Sequence, residues 1–297
     1  MDAHALPREP AAPAEPLPKA KAEPPQLVKR HRLSTRIWHW VNALTLVVML
    51  MSGLMIFNAH PRLYWGHYGA NADYAWLEIG RDPEGGFLKV NETRIGTTGL
   101  LGQWTDSQGQ VQGRAFPSWA TIPSGYDLAG ARRWHLAFAW VLAFGLLFFM
   151  IRALWNRHAQ RDLAPALAEL KPRHLWHEVK DHARLRFPTG EAATRYNTLQ
   201  KLSYFGVIFL LLPIIILSGL AMSPGMNASW PWLIDIFGGR QSARSVHFIV
   251  AFLLVGFTIV HLIMVVLAGP INEIRSMITG WFRVPQPKQM QPREKRP

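Results

Sequence analysis

Four apolar stretches, 37–57, 134–154, 202–222 and 246–268, decide most of what this chain can become. A helix needs about 20 apolar residues to cross the hydrocarbon of a bilayer. Each stretch has that length without an internal Asp, Glu or Lys, and the one Arg among them, Arg152, lies at a span end where it can snorkel. In lipid, a helix satisfies its backbone hydrogen bonds within a single segment. The expected fold class is therefore an all-α membrane protein, a four-transmembrane-helix bundle. Residues 1–30 are rich in Ala, Pro, Glu and Lys and lack an apolar signal-peptide core. They read as a disordered tail, which makes the first span an uncleaved anchor. Residues 284–297 read as a second, basic disordered tail, leaving 31–283 as the membrane domain.

The basic residues orient this bundle. The formal net charge is +13 over 297 residues. Segments 1–36, 155–201 and 269–297 together hold 22 Lys and Arg against 11 acids, whereas 58–133 and 223–245 hold 9 against 8. By the positive-inside rule both termini face the cytoplasm, and the basic excess needs no nucleic acid to explain it. Trp38, Trp40, Trp134, Trp155, Trp230 and Trp232 cluster at span ends, as interfacial aromatic belts do. The expected location is the bacterial inner membrane, with lipid as the surrounding partner.

The long connection 58–131 then becomes a periplasmic loop. Its aromatics, among them Tyr64, Trp65, Trp76, Trp104 and Phe116, predict that it folds, with turns at Asp82–Gly86 and Ser107–Gly109. On the inner side, 163–186 reads as a basic surface helix, with Leu163, Leu167, Leu170, Leu175 and Val179 available for its apolar side. His174, His177 and His182 on it read as a solvated face, since neither an acid nor a Cys completes a metal set. No internal repeat is evident.

Ionisable residues inside spans are costly and usually functional. Four histidines lie there: His39, His135, His247 and His261. Taken singly, each could be a neutral ring satisfied near an interface. Their depths argue jointly. His247 and His261, 14 residues apart, share one helix face and differ in height by about 21 Å. Measured from the span midpoints, His247 lies about 15 Å and His135 about 13 Å toward the outside, while His261 lies about 6 Å and His39 about 12 Å toward the inside. Depth thus pairs His135 with His247 and His39 with His261. There is no cysteine, which removes thiolate sites, iron–sulfur clusters and covalently attached haem. Two facing His–His pairs suit two bis-histidine haem b groups, while zinc would want three or four ligands at one depth. Gly53 and Gly256 could leave room for a macrocycle or serve close helix packing. Arg132, Arg133 and Arg244 at the outer span ends, and Arg36 at the inner, could pair with haem propionates or with lipid headgroups.

These residues carry a resemblance. The run Arg36-Ile37-Trp38-His39-Trp40, the His opening the second span and the paired histidines of the fourth resemble the bacterial cytochrome b561/nickel-hydrogenase cytochrome b family, formate dehydrogenase gamma subunits included, over roughly residues 30–283. The run His60-Pro61-Arg62-Leu63-Tyr64-Trp65-Gly66 is similar to the thiosulfate-reductase-type cytochrome b branch. The resemblance implies His39 with His261 on the cytoplasmic-side haem and His135 with His247 on the periplasmic-side haem. The segment Arg195–Leu202 resembles the run before the third span of the gamma subunits, which implies a quinone beside the inner haem at Asn197, with Gln200 and Lys201 nearby. Headgroup anchoring is the other reading of Asn197 and Lys201.

The expected function is a di-haem electron-transfer subunit between the quinone pool and a periplasmic oxidoreductase docked on the long loop, the resemblance pointing to a molybdopterin enzyme. The chain itself would catalyse at most the quinone half-reaction. Two copies could pair as a homodimer. The alternatives are a stand-alone quinol-linked reductase and a non-redox anchor or transporter, the latter disfavoured because no acid lies within a span. The depth pairing makes a direct prediction. His261→Ala should lose the inner haem and His135→Ala the outer one, seen as different components missing from reduced-minus-oxidised spectra; loss of the same component in both would contradict it.

Overall fold

A computed structural model describes residues 26–157, 160–161, 164–184, 190 and 196–285. Four helices in it are long and apolar enough to cross a membrane: α1 (Leu33–Phe57), α2 (Leu128–Trp155), a third span over Thr198–Met222, and α8 (Arg240–Ala268). Each begins earlier than the apolar run that announced it. Backbone hydrogen bonding continues through polar residues until a cap or a Gly/Pro signal stops it. Asp127 illustrates this, because its side chain accepts from the Gly130 amide at 2.8 Å and starts α2 at Leu128. The connection expected over 58–131 therefore closes at 127. The third span consists of α4 (Thr198–Gly206), a π-helical turn over Val207–Leu211 and α5 (Leu212–Met222). Pro213 lacks an N–H, and an extra residue in the turn before it is one way to relieve the lost bond.

The first two spans pack chiefly on each other, as do the third and fourth. The two hairpins close on a shared core of Met49, Leu142, Leu146, Leu212, Ile215, Val250 and Leu254. The opposite faces expose Leu44, Val47, Phe144, Phe148, Leu262 and Val266, as lipid-facing helices should.

At one end of the bundle, residues 58–127 fold into a cap. It is built mainly of β strands with a single 3-10 turn at Ser118–Ala120, which corrects the expectation of an all-α chain. β2 (Arg62–Leu63), β3 (Leu77–Asp82), β4 (Gly85–Val90) and β5 (Thr93–Gly96) form an antiparallel sheet in that order. Alternation drives β3: Leu77 and Ile79 are buried with Leu63, Phe57 and Phe116, while Glu78 meets Arg62 on the other face. The expected turn at Asp82–Gly86 is the β3–β4 hairpin, with Asp82 facing Gly85 and Gly85 in the left-handed region. A smaller hairpin, β6 (Trp104–Thr105) with β7 (Val111–Gln112), turns through Asp106–Gln110, where Asp106 accepts from the amides of Gln108 and Gln110.

The cap is bonded to α8. The Gly66 carbonyl accepts from the amides of Gln241 and Ser242, and the Ser242 hydroxyl accepts from Gly66 N at 2.7 Å. Ser245 donates to the Tyr64 carbonyl at 2.6 Å and accepts from Trp76 Nε1 at 2.9 Å. The first-turn amides of a helix, which have no intrahelical partner, are thus satisfied by the cap. Two short helices, α6 (Pro224–Ser229) and α7 (Trp232–Ile236), complete this end.

The other end gathers the first and last described segments. β1 (Leu27–Lys29) pairs antiparallel with β8 (Trp281–Arg283), which follows α9 (Pro270–Thr279). Residues 26–30 and 284–285, at the inner edges of the two expected tails, thus lie beside this pairing, and 1–25 and 286–297 lie outside the described residues. The surface helix expected over 163–186 is also shorter. It runs as α3, Pro172–Ala183, because the residue before a proline disfavours the helical region and Pro172 suits the first turn. Residues 164–171 turn without forming a helix, leaving Leu167 exposed, and Leu163, 185 and 186 lie outside the described residues.

Asn58, just past α1, pins the cap to the bundle. Its side chain accepts from the Phe116 amide at 2.7 Å and donates to the Phe116 carbonyl at 3.2 Å, all buried. Asn58→Ala leaves the buried Phe116 N–H and C=O without these partners, at a cost of about 1–3 kcal/mol per group. Thermal unfolding in detergent should fall and protease cleavage within 58–127 should quicken; an unchanged cleavage rate would contradict the pinning role.

Candidate functional site

The four span histidines come together in two couples. The His39 and His261 ring centroids lie 6.3 Å apart with planes at 56°, and those of His135 and His247 lie 6.2 Å apart at 61°. The first couple sits toward the terminus end and the second toward the cap, with the shared core between them. Two imidazoles bound to opposite sides of one metal through nitrogens at about 2 Å would place their centroids about 6.3 Å apart, each centroid lying about 1.1 Å behind its nitrogen. Both couples have that spacing.

The cap-end couple is held by an arrangement that occurs twice. His135 Nδ1 lies 3.1 Å from the Met49 carbonyl and 3.1 Å from Ser52 Oγ. A carbonyl can only accept, so Nδ1 carries the proton and Nε2 is bare. The Ser52 hydroxyl sends its own proton to Val48 O at 2.7 Å, which leaves its oxygen free to accept from His135. On the other hairpin, His247 Nδ1 lies 3.1 Å from Ser218 Oγ, whose proton goes to Ile215 O at 3.1 Å. Beside each serine is a glycine against the ring. A Cβ built on Gly53 would stand 3.3 Å from His135 Cε1, and one on Gly219 would stand 3.3 Å from His247 Cε1. Gly53 thus makes room for an imidazole rather than for helix packing, while a Cβ on Gly256 would meet nothing within 4 Å.

Sequence reasoning missed Ser52, Ser218 and Gly219. The signal was present: Ser52-Gly53-Leu54 and Ser218-Gly219-Leu220 are a tripeptide repeated in the first and third spans.

At the terminus end, His39 Nδ1 is buried without a hydrogen-bond partner, and His261 stacks on Phe257 at 5.8 Å. Around them the β1–β8 pair gathers cations. Arg30 pairs with Glu273 at 3.4 Å and lies over the Phe282 ring, yet its Nε is buried and unpaired, as are those of Arg36 and Arg275. Burial, then the charge of Arg30 and the neighbouring His39 and Arg36, pulls His31 down to about 4, so it adds no charge at neutral pH.

The other residues singled out from the sequence are placed as follows. Arg132 and Arg133 are exposed where α2 begins. Arg244 donates to the His60 carbonyl and lies over Phe57, so it ties the cap to α8. That bond places a cation beside His60, whose pKa falls through burial and then through Arg244. Asn197 is the N-cap of α4, accepting from Gln200 N at 2.8 Å and donating to His182 Nε2 at 3.1 Å. Lys201 is paired with Glu169 at 2.8 Å, which holds that carboxyl below the usual range. Both side chains thus have structural partners of their own. Glu178 on α3 accepts from Thr198 N, Thr198 Oγ1 and Leu199 N, and His174 joins the same cluster. Among the described residues no group of three or more His, Cys, Asp or Glu is placed to hold a metal.

The residues present fit an iron porphyrin at each couple. Both have the axial spacing, the cap-end rings have their Nδ1 protons committed, and orphaned guanidinium nitrogens stand at the terminus end where an anionic substituent could be met. A membrane helix bundle with inward-facing histidine couples is the architecture of a b-type cytochrome.

Comparison with known proteins agrees. Residues 30–280 match the family model for prokaryotic cytochrome b561, and the chain belongs to that family. A protein named as a protein-methionine-sulfoxide reductase subunit, YedZ1, of Azospira oryzae is 28% identical over 250 residues, covering 82% of this chain and 93% of that protein. A protein named as a Ni/Fe-hydrogenase B-type cytochrome subunit of Cupriavidus necator is 24% identical over 259 residues, covering 83% of each. No solved structure matches. The chain is therefore a multi-pass b-type cytochrome of the bacterial inner membrane, built for electron transfer with haem b.

The glycine contacts yield a prediction. Gly53→Ala and Gly219→Ala each press a methyl on a histidine ring that two helices hold in place, so haem content per chain should drop. Gly206→Ala, where a Cβ meets nothing within 4 Å, should leave it unchanged. Pyridine haemochrome assay against protein concentration measures this, and equal retention in all three would contradict it.

Proposed function

We propose that this chain is the di-haem membrane subunit of a redox complex, relaying electrons between the quinone pool and a periplasmic oxidoreductase. The observation that carries the reading is the matched ring spacing, 6.3 Å and 6.2 Å, in couples at two depths of one bundle. In this reading His39 with His261, and His135 with His247, are the axial ligands. Bound haem supplies reversible one-electron chemistry at each depth. The chain's own residues orient the rings, exclude water through the shared apolar core and leave Arg36 free to meet a propionate at the terminus end.

The charge distribution supports both termini in the cytoplasm, so the cap faces the periplasm. The partner then docks on the cap, whose exposed Tyr68 and Trp119 (89% and 71% exposed) suit a protein interface. The relatives' names include subunits of a methionine-sulfoxide reductase and of Ni/Fe-hydrogenases, and the sequence resemblance favours a molybdopterin enzyme in that role. The quinone belongs at the terminus end beside His39 and His261. Because Asn197 and Lys201 already serve a cap and an ion pair, a quinone there would be met by exchanging one of those bonds.

Purification in mild detergent tests this. Two haems per chain are expected, reducible by a short-chain quinol, together with co-purification of a soluble oxidoreductase that a cap variant, Trp119→Glu, releases. One haem per chain, or none, would overturn the di-haem reading; full turnover with a small-molecule acceptor and no partner would favour a stand-alone reductase.

A further inference from the structure

The two histidine couples differ in how the protein holds their distal nitrogens. At the cap end, each ring gives its Nδ1 proton to a serine hydroxyl at 3.1 Å, Ser52 for His135 and Ser218 for His247. Each serine is fully buried and anchors its own proton on a backbone carbonyl three or four residues earlier, so its oxygen can act only as an acceptor toward the ring. At the terminus end no such bond exists among the described residues. His39 Nδ1 is buried without a partner, and His261 is steadied by stacking on Phe257.

We infer that Ser52 and Ser218 are matched positioning residues that lock His135 and His247 with their bare Nε2 atoms facing one another, and that they lower the potential of the cap-end site relative to the terminus-end site. This rests on the di-haem reading above. A hydrogen bond accepted from Nδ1–H shifts electron density onto the imidazole and makes Nε2 a stronger donor. A stronger axial donor favours ferric over ferrous iron, and second-shell bonding of this kind is one of the protein's levers on haem potential. The terminus-end rings lack the bond, His39 Nδ1 being buried without a partner.

The two serines are equivalent in one further respect. His135 keeps a second acceptor, the Met49 carbonyl at 3.1 Å, when Ser52 is removed, and His247 keeps the Ile215 carbonyl when Ser218 is removed. Ser218→Ala and Ser52→Ala should therefore each weaken, rather than abolish, the bonding of one cap-end ring and shift that site in the same direction.

Potentiometric titration of the purified haem-loaded protein, followed by visible absorbance, tests the inference. The cap-end component is assigned as the one missing in His135→Ala. It should be the lower-potential component of the wild type. It should move to higher potential in Ser52→Ala and in Ser218→Ala, and back toward wild type in Ser218→Thr, which restores a hydroxyl. The terminus-end component should stay in place throughout. If Ser218→Ala does not retain its cap-end haem, Ser52→Ala carries the measurement, because the Met49 bond still holds the ring. A cap-end component that is the higher of the two, that fails to move in either serine variant, or that moves in step with the other would overturn the inference. A wild type with fewer than two haems would instead overturn the di-haem reading beneath it, so the two failures are distinguishable.

Discussion

Three of the four spans, α1, α2 and α8, are placed so that an imidazole on one hairpin faces an imidazole on the other with ring centroids 6.2–6.3 Å apart. That constraint is severe in lipid. Little hydrophobic drive exists between helices surrounded by acyl chains, so close packing and polar contacts must hold the rings. The protein meets it with small residues. Gly53 and Gly219 let a ring lie against a helix backbone, and Ser52 and Ser218 turn that proximity into a hydrogen bond. The apolar layer of Met49, Leu142, Leu146, Leu212, Ile215, Val250 and Leu254 then separates the couples.

The two ends of the bundle answer different needs. The cap is fastened to α8 at Gly66, Tyr64 and His60, so the His-Pro-Arg-Leu-Tyr-Trp-Gly run that marks it in the sequence works as its attachment. An aromatic indole, Trp76, reaches through the cap to the same buried serine, Ser245, that holds Tyr64. The terminus end is cationic and closed by a two-stranded ribbon, with Trp40 hydrogen-bonded across to the Met277 carbonyl.

Much of the site was legible in the sequence because membrane helices obey simple arithmetic. Rise per residue and alternating direction suffice to pair His135 with His247 and His39 with His261, and the structure brings those same rings together. The cap was less legible. Its aromatics announced a folded unit, but Leu77-Glu78-Ile79 is a short alternation, and β4 breaks it with Gly85 and Gly86, so no strand stood out. The serines were invisible for another reason. A single hydroxyl in an apolar span bonds its own helix at no great cost, and only the ring arriving from a neighbouring helix shows that its oxygen has a second task. For Asn197 and Lys201 the structure adds what the sequence could not show: their partners, His182 and Glu169, lie 15 and 32 residues away, beyond the reach of a local reading.

The ribbon formed by Leu27–Lys29 and Trp281–Arg283 brings the beginning and the end of the membrane domain to adjacent points on one face. A peptide bridge joining them would need only a few residues. The chain is thus suited to circular permutation, with new ends opened in the exposed Asp106–Gln110 turn of the cap; such a rearranged molecule should keep both histidine couples while carrying its tags on the opposite side of the bilayer.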